Sequence, residues 1–175
     1  MIRTAHTSDL DAATLSAART LFDEAFRGEF TDDDWEHGLG GIHALAYEGE
    51  ELVGHASVVQ RRMLYDGRAL RTGYVESVCV SPRHRRRGHA SALMTELERI
   101  VRGAYDLGAL GATADGAALY TSRGWQRWEG RLFALTPSGV VRTQEEEGHI
   151  YVLPAGAELD LGEELTCDWR DGDVW

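Results

Sequence analysis

The chain has 175 residues, which is enough for one domain with an ordinary buried core. Its residues are 43% apolar and 27% charged, a composition typical of a folded protein and not of a disordered one. The formal net charge of -11 disfavours general binding to nucleic acid and suits a cationic small-molecule partner.

Two helices are predicted near the N-terminus. Apolar residues recur at helical spacing over residues 10–26, and Thr7 or Ser8 is the predicted cap of this helix. Thr31 and Asp34 have the spacing of a capping box, which predicts the start of a second, short helix.

Strands are predicted next. Residues 42–80 hold three apolar or alternating runs, separated by the turn sequences "EGEE" and "DGR". This pattern predicts an antiparallel meander of three strands. Residues 125–175 return to strand-like runs and end in a polar tail, without an internal repeat or a domain boundary.

A strand and two helices are predicted after the meander. The segment 91–105, "SALMTELERIVRGAY", has one apolar face and predicts an amphipathic helix. A strand is predicted over 107–112, followed by a helix that Asp115 caps and Gly124 ends. A helical crossover makes 107–112 parallel to the strand at 74–80, so we expect a mixed α/β sheet.

Cysteine content and targeting signals bear on the compartment. The chain has two cysteines, Cys79 and Cys167, so we expect neither a disulfide framework nor a thiolate metal site, and no metal at all. It has no run of about 18 apolar residues and no secretory signal. We therefore expect a cytoplasmic protein with no membrane partner.

A basic turn, "ESVCVSPRHRRRGHA" at 76–90, stands out in this acidic chain. Arg85–Ala90 match the spacing R-x-x-G-x-A between a predicted strand and a predicted helix. The unpaired N–H groups and the dipole at a helix start can hold a pyrophosphate, and Gly88 lets the ligand approach the backbone. A solvated basic loop is the plain alternative, and a nucleic-acid site is disfavoured by the acidic remainder.

The segment "YVESVCVSPRHRRRGHASALMTELE" resembles the acetyl-CoA-binding core of the GCN5-related N-acetyltransferases. The segments "FTDDDWEHGLGGIHAL", "LYTSRGW" and "CDWRDGDVW" are similar to those of the aminoglycoside 2'-N-acetyltransferases. The resemblance implies a single acetyltransferase domain over residues 1–175, with a mostly antiparallel sheet whose one parallel pair splays at the acetyl-CoA site. It also implies a homodimer.

The resemblance places the cofactor on two backbone stretches. It implies that the pantetheine arm lies along the strand and the pyrophosphate on the turn, at Val78, Cys79, Val80, Arg85, Arg86, Arg87, Gly88, His89 and Ala90. It also implies that a backbone N–H at or near Val78 donates to the thioester carbonyl. An acetyl-cysteine intermediate at Cys79 is a disfavoured alternative, since its apolar neighbours would raise the thiol pKa.

Two side chains match catalytic positions of the family. Glu76 is implied as the base, acting through water, and Tyr120 as the acid that protonates the thiolate. The plain alternatives are a surface strand glutamate for Glu76 and a packed core tyrosine for Tyr120.

Acidic residues match the positions that contact the polycationic substrate. The implied substrate-binding residues are Glu29, Asp34, Glu76, Ser77, Gly111, Glu146, Asp173 and Trp175. Close relatives usually carry glycine where this chain has Ser77, and aspartate where it has Glu29 and Glu146. Gly111 stands where the resemblance implies a serine that contacts ligand. Trp169 and Trp175 suggest that the C-terminal segment is docked, with the Trp175 carboxylate available to an amine.

The resemblance predicts direct transfer of acetyl from acetyl-CoA to the 2'-amino group of an aminoglycoside. One alternative is an acetyltransferase of the same fold that acts on another cationic amine, such as a polyamine or a cell-wall amino sugar. The other is a non-catalytic module that binds acyl-CoA or the drug.

Overall fold

The computed structural model describes all 175 residues. Its α-helices are α1 Ala12–Ala25, α2 Asp32–Glu36, α3 His89–Ala104 and α4 Ala117–Ser122. Its strands are β1 Ile2–His6, β2 Ile42–Glu48, β3 Glu51–Tyr65, β4 Arg68–Val80, β5 Leu107–Gly111, β6 Gln126–Arg127, β7 Leu132–Thr136, β8 Gly139–Arg142, β9 Ile150–Pro154 and β10 Leu165–Cys167. None of the helices combines the length and the apolar character that a membrane crossing requires.

The chain divides into two compact units. The first unit contains residues 1–59 and 75–99, and the second contains residues 60–74 and 100–175. Strands β3 and β4 and helix α3 each contribute residues to both units. The expectation of one acetyltransferase domain stays a prediction.

The first unit contains α1, α2, most of α3 and much of the predicted meander. β1 pairs with β2 and β2 with β3, in both cases antiparallel. The predicted antiparallel relation of β2 and β3 is confirmed, and Gly49 adopts the positive φ of 60° that the intervening turn requires. The apolar face predicted for α3 is buried at Leu93, Leu97 and Val101.

The start of the first helix differs from the prediction. Helix α1 is capped by Asp11, whose carboxylate accepts from the Thr14 N–H at 2.7 Å, and Thr7–Asp9 form a separate 3-10 turn. The predicted cap at Thr7 or Ser8 is therefore wrong, because the chain turns once more before the helix begins. Strand β1 was not predicted either; it is short, and only some of its residues are partly buried. The capping box that opens α2 is confirmed.

The strands that contribute to the second unit are paired in the order β6-β9-β5-β4-β3-β10-β7-β8. The parallel relation predicted for the strands around residues 74 and 107 is confirmed, with Thr72–Tyr74 of β4 opposite Leu107–Ala109 of β5. A second parallel pair, β7 with β10, was not predicted. Helix α4 is preceded by Gly116 and lacks a side-chain cap, so the predicted Asp115 cap is wrong, while Gly124 ends the helix at φ +87°.

Two segments of the second unit cross closely at Gly130. The Gly130 N–H donates to the Leu161 carbonyl at 2.8 Å, and the buried Trp128 donates its indole N–H to the Glu163 carbonyl at 3.0 Å. A Cβ atom at Gly130 would overlap the Glu163 carbonyl group. Only glycine fits this crossing, which leads directly into the pairing of β7 with β10.

We expect Gly130→Ala to lower the free energy of unfolding by about 2 kcal/mol or more, because main-chain atoms must move to admit the methyl group. Gly156→Ala is the matched control, since a Cβ there meets nothing within 4 Å. It should change stability by no more than about 0.5 kcal/mol. Urea denaturation of both variants measures the difference, and similar values for the two would contradict this account of the crossing.

Candidate active site

A left-handed residue interrupts β4. Ser77 has φ +54°, in the left-handed region that residues other than glycine rarely adopt. The residues around it, Glu76, Ser77 and Val78, are all half-buried, whereas a regular strand alternates its faces. The conformation accounts for the glycine expected at this position. It gives three consecutive residues partial access to solvent at one point of the strand.

Two buried histidines lie beside this interruption. His55 Nδ1 lies 3.3 Å from the Ser77 carbonyl oxygen, and His55 Nε2 lies 2.8 Å from His43 Nδ1. His43 Nε2 in turn lies 2.8 Å from the Thr7 hydroxyl. Burial lowers the pKa of His43 to about 4 and that of His55 to about 3, so both rings are neutral at physiological pH.

The turn at 85–90 opens the sixteen-residue helix α3. Arg86 and Gly88 both have positive φ, +62° and +86°, so the backbone curls before the helix begins. The Gly88 carbonyl accepts the first helical bond, from Ala92 N–H at 2.9 Å. N–H groups in a first helical turn have no intrahelical acceptor, and a Cβ at Gly88 would meet nothing within 4 Å. These features fit a pyrophosphate-binding turn.

The arginines of the turn differ in their contacts. Arg85 donates to the Ala25 carbonyl at 2.9 Å, at the C-terminal end of α1, and to the Val80 carbonyl at 3.5 Å. Arg87 lies 3.2 Å from Glu48, which His89 Nε2 also contacts at 2.7 Å. These contacts lower the pKa of Glu48, with the His89 hydrogen bond as the largest cause. The Arg85 and Arg87 side chains thus hold the turn in place.

Cys79 is an inert thiol. It is 4% exposed, and burial raises its pKa to about 12, against the smaller opposite effect of a hydrogen bond from the His55 backbone. A thiol with such a pKa is a poor nucleophile at neutral pH. This agrees with the expectation that no acetyl-cysteine forms.

Glu29 and Asp34, the predicted substrate carboxylates of the first unit, differ in their surroundings. Glu29 is exposed in the loop between α1 and α2. Asp34 Oδ2 accepts from the backbone N–H of Thr31 at 2.6 Å and from the Thr31 hydroxyl at 2.8 Å. Asp34 therefore has a structural role as a helix cap.

In the second unit, Tyr120 and Gly111 lie on α4 and at the end of β5. Tyr120 is 7% exposed, and its ring packs at 6.2 Å from Trp125 and 6.4 Å from Tyr151, measured between centroids. A Cβ at Gly111 would meet its nearest neighbour, the Tyr74 hydroxyl, only at 3.8 Å. A serine would therefore fit at Gly111.

Glu146 and Asp173 form an acidic pair. Glu146 is half-buried in a 3-10 turn, and its pKa is raised by burial first and then by repulsion from Asp173 and Glu145, against the opposing effect of His149. Asp173 also accepts from the Trp175 N–H at 3.0 Å. Repulsion of this kind between carboxylates favours a cationic ligand.

The C-terminal segment is docked through Trp175, which is 4% exposed and donates its indole N–H to the Thr143 hydroxyl at 2.8 Å. Trp169, in contrast, is 47% exposed, so the predicted anchoring by two tryptophans is correct for Trp175 alone. Arginines supply the other anchor. Arg61 bonds Asp168 at 2.8 Å, and Arg170 donates to the main-chain oxygen of Trp175 at 2.6 Å.

Tyr74 lies in reach of both arginines. The Arg61 guanidinium lies 4.7 Å from the centre of the Tyr74 ring, and that of Arg170 lies 5.3 Å from it. Cation–π contacts of this length are attractive, the more so where they are shielded from water. Tyr74 thus helps to hold the two arginines that anchor the C-terminal segment.

The structure brings together two groups of predicted residues. The first unit joins Glu76 and Val78 around the left-handed Ser77, a few residues before the turn at 85–90 in the sequence. The second unit joins Glu146, Asp173 and Trp175. Sequence reasoning missed the histidine pair and the arginine anchors. His43 and His55 lie within the apolar runs "IHALAYE" and "VGHASVV", and both are buried. Their position in these runs could have indicated a buried histidine pair.

The structure contains no group of three or more His, Cys, Asp or Glu side chains that could hold a metal ion.

Comparisons with known proteins give the family. Residues 2–128 match the family model of the acetyltransferase (GNAT) domain. The chain is 52% identical, over 99% of its own length and 91% of the relative, to the aminoglycoside 2'-N-acetyltransferase of Mycolicibacterium fortuitum.

Solved structures confirm the predicted fold. The GNAT-family N-acetyltransferase YhbS of Escherichia coli, solved in complex with CoA, is 16% identical with a TM-score of 0.65, over 95% of this chain and 88% of its own. Eis1 of Mycobacterium abscessus is 24% identical with a TM-score of 0.62, over 75% of this chain and 33% of its own, so this chain aligns with about a third of Eis1. The fold is thus that of the GCN5-related N-acetyltransferases, and the chain belongs to this family and, within it, to the aminoglycoside 2'-N-acetyltransferases.

Proposed function

We propose that this enzyme transfers the acetyl group of acetyl-CoA to the 2'-amino group of aminoglycosides by direct attack of the amine. The M. fortuitum relative, 52% identical, is named for this activity. The observation that carries the proposal is the interruption of β4 at Ser77, because it leaves Glu76, Ser77 and Val78 partly accessible to solvent a few residues before the helix start that fits a pyrophosphate. The buried, high-pKa thiol of Cys79 supports a route without an acetyl-cysteine.

Acetyl-CoA supplies the activated acyl group and a thiolate leaving group. The turn residues Arg85–Ala90 would hold its pyrophosphate through backbone N–H groups at the start of α3, and the Arg86 side chain is exposed and available to a phosphate. The backbone of Val78–Val80 would hold the pantetheine arm. The Val78 N–H would donate to the thioester oxygen, where negative charge develops.

Two side chains would move protons. Glu76 is half-buried, which suits a base that receives the ammonium proton through a water molecule. Tyr120 is buried among aromatic rings, which also fits the alternative of a packed core tyrosine. We assign its hydroxyl the role of acid toward the departing thiolate.

The acidic residues would select the substrate. An aminoglycoside carries several ammonium groups, and Glu146 with Asp173 forms a pair whose repulsion a bound cation would relieve. Glu29, which is exposed, and Asp34 are the proposed contacts from the first unit. We further propose that the enzyme is cytoplasmic, where acetyl-CoA is made, and that it forms a homodimer as its family suggests.

The proposed regiochemistry predicts a clear difference between two drugs. Tobramycin carries an amine at the 2' position and kanamycin A a hydroxyl, so tobramycin should gain one acetyl group and release CoA thiol while kanamycin A does not react. Thiol release and mass spectrometry measure this. Equal acetylation of both, or of neither, would contradict the 2' assignment. Tight binding of tobramycin and of acetyl-CoA without release of CoA thiol would indicate a non-catalytic binding module.

Glu76→Gln should lower kcat at pH 7 by about 100-fold, a typical contribution of a general base. The deficit should shrink as the pH rises, because more of the substrate amine then loses its proton to solvent. Glu50→Gln, in an exposed turn, is the control with the same change of charge. A variant whose pH–rate profile matches that of the wild type would remove Glu76 as the base.

Glu146→Gln should raise the Kd for tobramycin about tenfold, since one carboxylate partner of an ammonium is lost. The Kd for acetyl-CoA should stay within about twofold of the wild-type value. The exposed Glu158→Gln changes the net charge equally and should leave both values unaltered. Calorimetric titration measures the affinities, and equal weakening of drug and cofactor binding would show that Glu146 is only structural.

A further inference from the structure

The hydrogen bonds that link Thr7, His43, His55 and Ser77 form one chain with a fixed direction. The Ser77 carbonyl can only accept, so His55 must carry its proton on Nδ1. His55 Nε2 then accepts from His43 Nδ1–H, which leaves His43 Nε2 as an acceptor. The Thr7 hydroxyl donates to it at 2.8 Å, in preference to its longer contact with the Gly41 carbonyl at 3.2 Å. The Thr7 oxygen accepts in turn from the Gly40 N–H at 2.8 Å. Every donor in this chain thus points toward Ser77.

The series of hydrogen bonds ends at Ser77, the residue with the strained backbone. A left-handed serine persists only where its surroundings impose the conformation. The Ser77 side chain does not stabilise this backbone conformation, because its hydroxyl is buried without a hydrogen-bond partner. His43 and His55 are fully buried, so their positions are set by packing. The bond from His55 is therefore a specific restraint on the Ser77 backbone.

The restraint reaches the next residue through the peptide plane. The Ser77 carbonyl and the Val78 N–H belong to one peptide group, which is planar and trans, so they point in opposite directions. Fixing the carbonyl toward His55 fixes the N–H away from it. A hydrogen bond accepted by the carbonyl also polarises the N–H as a donor.

We propose that Thr7, His43 and His55 form a positioning relay that holds Ser77 in its left-handed conformation and thereby aims the Val78 N–H. This inference rests on the proposed function, in which that N–H donates to the thioester oxygen. The histidines themselves touch neither substrate nor cofactor in this scheme. They are positioning residues for the acyl-transfer step.

The first experiment needs no activity. In protein labelled with 15N at histidine, NMR at pH 7 should show the His43 and His55 rings neutral, each with its proton on Nδ1. A charged ring, or a proton on Nε2 of either ring, would overturn the relay. The outcome is independent of whether aminoglycosides are substrates, so a failure of the relay and a failure of the proposed function are distinguishable.

The second experiment is a double-mutant cycle. His55→Phe keeps a ring against Trp35, whose centroid lies 5.5 Å away, and removes the donor. It should lower kcat with tobramycin about tenfold and leave KM for acetyl-CoA within about twofold, because the aimed N–H acts in the transition state. In a Ser77→Gly background, where the left-handed conformation is unstrained, the loss should be about threefold or less. An equal loss in both backgrounds would overturn the proposal.

A second, less disruptive pair of variants tests the relay if His55→Phe does not fold. Thr7→Val removes the hydroxyl that begins the relay at nearly constant volume, and Thr7→Ser retains it. Thr7→Val should lower kcat by about twofold to threefold relative to Thr7→Ser, with CoA titration normalising for active enzyme. Equal kcat values for the two variants would overturn the relay.

Discussion

The left-handed conformation of Ser77 is the constraint on which the catalytic strand depends. Glycine would adopt it without strain, whereas serine must be held there by its neighbours. The interior of the first unit is arranged accordingly. Gly38 leaves the necessary room, since a Cβ there would lie 2.7 Å from the Ser57 hydroxyl and 3.3 Å from that of Ser77. The presence of serine instead of glycine at position 77 therefore depends on Ser57 and Gly38, which lie 20 and 39 positions away in the sequence.

Two of the four arginines of the basic turn, Arg85 and Arg87, are committed to contacts within the protein. Arg85 satisfies a carbonyl at the end of α1, where a cation also complements the helix dipole, and Arg87 pairs with Glu48. A dense run of arginines thus does not mean an equally dense positive surface. The rigidity that these contacts give to the turn suits the proposed binding of a pyrophosphate by backbone N–H groups, which depends on geometry more than on net charge.

The sequence predicted elements whose signals are local, such as the capping box at Thr31 and the apolar face of α3. It failed where a choice between nearby caps is decided by tertiary structure. Asp11 caps α1 because Thr7 is occupied with Gly40 and His43, partners more than 30 residues away. The site residues came from family resemblance. The histidine relay has no motif, since its spacing is set by the pairing of β2 with β3.

The C-terminal segment is held mainly by its backbone. Arg61 donates to the carbonyls of Asp168 and Val174, and Arg170 donates to the main-chain oxygens of Asp173 and Trp175. Main-chain oxygens are present whatever side chain a residue carries. Two of the exposed residues add to this restraint, because the Asp173 carboxylate accepts from the Trp175 N–H and Gly172 has a φ of +72°. The arginine contacts to main-chain oxygens do not depend on the side chains of the residues they hold, so loss of either Arg61 or Arg170 would release two points of the segment at once.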